Sequence, residues 1–150
     1  MRGDGYNVNK KQIKETRKDL GGVKMLNINI KRGEIYLVDL GAQKGSIQSG
    51  KRPVIVVSNN MNNKYSPTVN ILPITSQNKN NIPVHVNIGV ESGLSEESTV
   101  LTEQVVTINK TQIIKYVGKC NKYKMYEIEK ALLIQNGINL DVHLERVLAM

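Results

Sequence analysis

The sequence predicts a mainly β, β-rich α+β fold: a small antiparallel barrel, closed or nearly closed, with a C-terminal helix. Three observations predict it. Short runs of strand-forming residues recur from residue 30 to residue 108, turn clusters rich in Gly, Ser, Asn or Pro separate them, and one long segment of helical periodicity follows at 122–135.

Residues 1–29 form a basic arm in which Asn9 and Gln12 resemble a helix-capping pair, yet Ile13 and Leu20 leave the helix almost no face to bury. Residues 1–24 are therefore expected to be marginal or disordered. Gly21-Gly22 just before Val23-Lys24-Met25 is what a purine-rich ribosome-binding site gives when translated in frame, so a natural start at Met25 is also expected. Glu34 to Leu40 is rich in strand formers, and Pro53 to Ser58 is a β-branched run suited to a strand buried on both faces. Val69 to Ile74, Val84 to Ile88, Thr99 to Leu101 and Val105 to Ile108 read as further strands. Turn clusters lie at 41–50, 59–67 and 77–81. From Lys122 to Gln135, Met125, Ile128, Ala131 and Leu132 share a helical face, with Asn121 placed to cap it. Leu140, Leu144, Val147 and Leu148 predict a second short helix, and both stripes are read as core or dimer packing. The organisation expected is an arm at 1–29, one domain at 30–138 and a helical tail at 139–150.

Composition narrows the class. The 150 residues suit one domain, and the single Cys120 forms no internal disulfide and belongs to no zinc-like cluster. It is read as a small core residue, in a reducing cytosol and without structural metal. No apolar run approaches the roughly 18–20 residues needed to cross a bilayer, so a soluble, cytoplasmic protein with no membrane partner is expected. The net charge of +8 is uneven: residues 1–32 carry nine basic and three acidic side chains, residues 33–150 twelve and ten. A basic arm attracts polyanions without reading their sequence, which supports nucleic-acid contact only weakly.

Arg52 stands out against this background, because it is one of two arginines after position 32 in a stretch that otherwise uses ten lysines. A guanidinium offers a planar, permanently charged fork that grips phosphate or carboxylate through paired hydrogen bonds. Taken alone it reads first as a surface charge.

The order of motifs carries more. Lys31-Arg32-Gly33-Glu34-Ile35-Tyr36, Asp39-Leu40, Gly45-Ser46, Gln48, Arg52-Pro53-Val54, Ser66-Pro67-Thr68, Ile74-Thr75-Ser76-Gln77 and Glu103-Gln104-Val105 together resemble the MazF/PemK family of toxin endoribonucleases. The resemblance runs from about Ile30 to Ile138. It implies an SH3-like barrel, a homodimer, metal-independent and cofactor-free cleavage of single-stranded RNA at a short sequence, and inhibition by a cognate antitoxin protein. It also implies catalytic roles for Arg52 and Thr75. A guanidinium and a hydroxyl suit charge growing on phosphoryl oxygens while the ribose 2′-hydroxyl attacks, giving 2′,3′-cyclic phosphate and 5′-hydroxyl ends. Arg52 beginning one strand and Thr75 ending another can share a rim of the barrel. Ser46 and Gln48 in the first loop, with Gln77 and Lys79 in a later one, are then the expected substrate-binding residues.

Departures from the pattern matter. Ile47 stands where many relatives carry Glu, and Val106 where many carry a basic residue, so weakened activity and a different cut sequence are expected. With no Trp or Phe, base stacking falls to tyrosines such as Tyr36 and Tyr65, although Tyr36 reads better as half-buried in its strand. His85 lies on the polar phase of its strand with no partner motif and is read as a surface histidine, and His143 has no assigned role. Two other functions stay open: a CcdB-like toxin that binds DNA gyrase without cutting RNA, and a degenerate relative that binds antitoxin.

Overall fold

The computed structural model describes residues 19–20, 23–24 and 28–150. Within the arm, β1 (Asp19–Leu20) and β2 (Val23–Lys24) pair antiparallel. The expectations of a marginal arm and of a start at Met25 otherwise fall outside the described residues.

The chain then runs β3 (Glu34–Asp39), β4 (Lys51–Val56), α1 (Asn60–Tyr65), β5 (Thr68–Thr75), β6 (His85–Ile88), β7 (Ser98–Leu101), β8 (Val106–Asn109), β9 (Ile113–Lys119), α2 (Lys122–Gln135) and α3 (Leu140–Leu148). All pairings are antiparallel, and β5 organises them. Its first half, Thr68 to Ile71, pairs with β8; its end, Ile74 and Thr75, pairs with β7; β4 lies along its other edge. Pro73, which has no N–H to donate, sits where one edge of β5 passes from β8 to β7. A curled layer β8-β5-β4-β3-β9 and a smaller layer β6-β7-β5 therefore share one strand.

The continuous apolar runs in β4 and β5 are explained by cores on both faces. Ile55, Leu72 and Ile74 face a cluster with Ile35, Val86, Val100, Cys120, Ile128 and Ala131, the last two supplied by α2. Val54, Val56, Val69 and Ile71 face the barrel interior with Val38, Leu40, Ile108 and Ile113. By the two-residue alternation of a strand, Arg52 and Thr75 belong to this second face.

Helix α2 begins where Asn121 predicts: its side-chain oxygen accepts from the Lys124 N–H at 2.8 Å. Arg32 joins α2 to the sheet, donating to Glu129 at 2.7 Å and to the Val57 carbonyl at 3.0 Å. Cys120 is buried as expected, and burial pushes its thiol up to about 11.

Several expectations need correction. The Asn-rich cluster at 59–67 contains a helix, α1, because the Asn59 side chain caps it and Asn63 buries its amide against Ser58. Strand β9 has no clear alternation in the sequence, and irregular register against β3 accounts for that. Tyr36 is 3 % exposed rather than half-buried: its hydroxyl donates to the Glu34 carboxylate at 2.5 Å and its ring meets Tyr116 edge-on. Burial first, then the Glu34 bond, push its phenol far up, so it is an interior strut and no surface for a base. Helix α3 exists, yet none of its residues is buried, so its stripe is not core packing within the chain.

Candidate active site

The rim forms where the loop after β3 returns into β4. Positive φ at Gly41 and Gly50 lets the neck close, with Leu40 N–H donating to Gly50 O and Gly50 N–H to Gly41 O. Arg52 follows directly, and its Nε donates to the Ser49 carbonyl at 2.8 Å. That bond fixes the stem of the side chain, while the terminal nitrogens have no hydrogen-bond partner among the described residues.

Thr75 ends β5. The β4–β5 pairing runs from Val56–Ile71 to Val54–Pro73, and Arg52 and Thr75 each lie two residues beyond that last pair, at the same end of the two strands. From Thr75 a polar row runs through Thr99, paired with Thr75, to Asn87, paired with Thr99. It crosses three strands, β5, β7 and β6, at this end of the sheet. Thr75 is 1 % exposed, and its hydroxyl accepts the Gln77 N–H at 3.2 Å, which leaves its proton to donate.

The remaining expected residues divide into two loops. Ser46 and Gln48 meet one side chain: Gln104 Oε1 accepts from the Gln48 N–H and Gln104 Nε2 donates to the Ser46 carbonyl, both at 2.9 Å. Beside them lies a pocket of about 350 Å³, lined by Ile47, Gln48, Pro73, Glu103, Gln104 and Val106, among others. The Gln48 side-chain oxygen is buried and has no hydrogen-bond partner among the described residues. On the second loop Gln77 is exposed and tied to Thr75 through its N–H, whereas no described contact joins Lys79 to the others.

The geometry overturns the reading of His85. Its side chain is 11 % exposed, with Nε2 2.9 Å from Glu103 Oε1 and Nδ1 3.0 Å from the Asn80 carbonyl. The missed residues are therefore His85, Glu103 and Gln104. The Glu103-Gln104 pair was visible as a motif, but its two opposite tethers were not. Tyr65 is 69 % exposed at the end of α1, with Lys64 Nζ over its ring at 5.0 Å. Among the described residues no group of three or more His, Cys, Asp or Glu is placed to hold a metal ion.

This arrangement can present two hydrogen-bond donors to one phosphate, beside a pocket whose amides can meet a base edge. Comparison with known proteins points the same way. Residues 31–135 match the model of the PemK-like, MazF-like toxin of type II toxin-antitoxin systems. An endoribonuclease MazF from Staphylococcus epidermidis is 41% identical over 112 residues, covering 73% of this chain and 93% of the relative. Among solved structures, a mycobacterial endoribonuclease in complex with its cognate antitoxin is 27% identical with a TM-score of 0.63, covering 73% of this chain and 97% of that one. MazF from Deinococcus radiodurans matches in fold at a TM-score of 0.64 with 21% identity, covering 73% and 97%.

Proposed function

Because the chain belongs to the PemK-like, MazF-like toxin family, we propose that its endoribonuclease activity resides at the Arg52–Thr75 rim and acts on single-stranded RNA. The protein is a toxin endoribonuclease of a type II toxin-antitoxin system, and gyrase binding or a purely regulatory role is not favoured. The observation that supports the assignment of the site is that Arg52 and Thr75 lie at the same end of β4 and β5, just beyond the last pair of their ladder.

In the reaction proposed, the ribose 2′-oxygen attacks the adjacent phosphorus and the bond from phosphorus to the 5′-oxygen breaks. The 2′-hydroxyl loses a proton and the leaving oxygen gains one, yielding a 2′,3′-cyclic phosphate and a 5′-hydroxyl. Arg52 donates to the phosphoryl oxygens as charge gathers on them, and the Thr75 hydroxyl is the second donor side chain. A guanidinium stays protonated at neutral pH, so Arg52 stabilises charge rather than accepting the proton. Thr75 is covered in this conformation, so substrate entry requires the rim to open. Ser46, Gln48, Gln77 and Lys79 hold the flanking nucleotides.

A homodimer and a cognate antitoxin are the proposed partners; one similar structure is of an endoribonuclease bound to its cognate antitoxin. Among the described residues no helix is long and apolar enough to cross a membrane, and action on RNA in the cytoplasm is proposed. Residues 30–138 are the proposed catalytic unit. The test is incubation of purified protein with mixed-sequence RNA in EDTA, with mapping of the new ends. Recurrent cuts carrying cyclic phosphate and 5′-hydroxyl termini support the reading; intact RNA, or cleavage only with added metal, rejects it.

A further inference from the structure

Two neighbouring side chains on one short turn hold both candidate substrate loops. The turn Thr102–Gln104 follows β7 and is fixed to the start of β6, since Thr102 donates through both its N–H and its hydroxyl to the Val84 carbonyl, at 3.2 and 2.7 Å. Gln104 reaches one way, to Ser46 and Gln48. Glu103 reaches the other way, to His85, which passes the contact on to Asn80, next to Lys79. The β6–β7 register makes this possible by setting His85 opposite Leu101, two residues before Glu103.

The ring has a partner on each side: Nδ1 faces the Asn80 carbonyl and Nε2 faces the Glu103 carboxylate. Glu103 lines the pocket beside Gln48, where an unpaired carboxylate would repel an RNA phosphate.

We propose that His85 is a positioning residue for RNA: through Glu103 and Asn80 it holds the Gln77–Lys79 loop at the rim and occupies the carboxylate that lines the pocket. This rests on the endoribonuclease reading above. The residue touches no reacting atom, so its removal weakens substrate binding and leaves the chemical step.

The experiment is steady-state cleavage of a defined RNA by wild type, His85→Phe, His85→Gln, Glu103→Gln and the His85→Phe/Glu103→Gln double variant, with a melting curve for each. Phe preserves the ring's bulk and removes both hydrogen bonds. The expected result is a KM for His85→Phe raised roughly 10- to 100-fold, the range for a lost hydrogen bond to a charged group, with kcat within about threefold of wild type. The double variant should bind RNA more tightly than His85→Phe alone, because the amide replacing the Glu103 carboxylate carries no charge to repel it; a packing role would not produce that recovery. His85→Gln, which keeps one donor, should fall between. Wild-type KM in both His85 variants overturns the proposal, as does a fall in kcat and melting temperature together with no recovery in the double variant. If wild type itself leaves RNA intact, the endoribonuclease reading has failed first, a result distinct from either of these.

Discussion

The two loops at the rim are tied to the same turn in different ways. The loop at 41–50 is closed at its neck by backbone bonds and held at its tip by the neutral Gln104 amide. The loop between β5 and β6 is held by the His85 side chain, which contacts the Glu103 carboxylate on one side and the Asn80 carbonyl on the other. Bonds between neutral amides are insensitive to salt, whereas a contact to a partly exposed carboxylate is weakened by it. One turn therefore ties the first loop through a neutral amide and the second through a carboxylate.

Arg52→Ala removes the proposed phosphate donor, and kcat should fall by about 10²–10³-fold, the cost of deleting one preorganised donor, with little change in melting temperature. Thr75→Val, close in shape and without the hydroxyl, should cost less in rate while keeping the fold. Activity retained in both would detach the chemistry from this rim.

A smaller effect sharpens the contrast between the loops. Gln104→Ala removes two neutral hydrogen bonds, each worth about 1 kcal/mol net, so the first loop should detach in a larger fraction of molecules and KM should rise several-fold. That change should be the same at low and high salt. Hydrogen exchange on wild type supplies the smallest signal: raising salt should speed exchange in residues 77–82 and leave residues 46–48 unaffected. Equal responses in the two loops would remove the distinction.

Cys120 separates loop opening from unfolding. Its sulfur lies between the sheet and α2, and burial holds it as a thiol up to about 11, so at neutral pH it is neither accessible nor ionised. A thiol reagent should label it only after denaturation, in wild type and in every loop variant. Rapid labelling of a native loop variant would show that the substitution loosened the core.

Much of this was legible in the residues. The β-branched runs marked β4 and β5 because a strand buried on both faces leaves no polar phase, and Asn121 marked the start of α2 because a cap depends on local geometry. Arg52 and Thr75 were legible as strand ends, and the antiparallel pairing of β4 with β5 puts those ends on the same side. What the sequence hid depends on distant contacts. His85 and Glu103 are separated by 18 positions, and only the β6–β7 register makes them neighbours. The alternation that marked His85 as polar was right about its phase and silent about what covers that face. Strand β9 was hidden by its irregular pairing, and α1 by an asparagine-rich composition that ordinarily signals a turn.

The central claim is that Arg52 and Thr75 form one phosphate-binding rim for RNA cleavage. The most direct measurement is end mapping of mixed-sequence RNA after incubation in EDTA with wild type and Arg52→Ala side by side. Cuts with 2′,3′-cyclic phosphate and 5′-hydroxyl ends from wild type, nearly absent with the variant, are the predicted result; equal cutting by both proteins would contradict it.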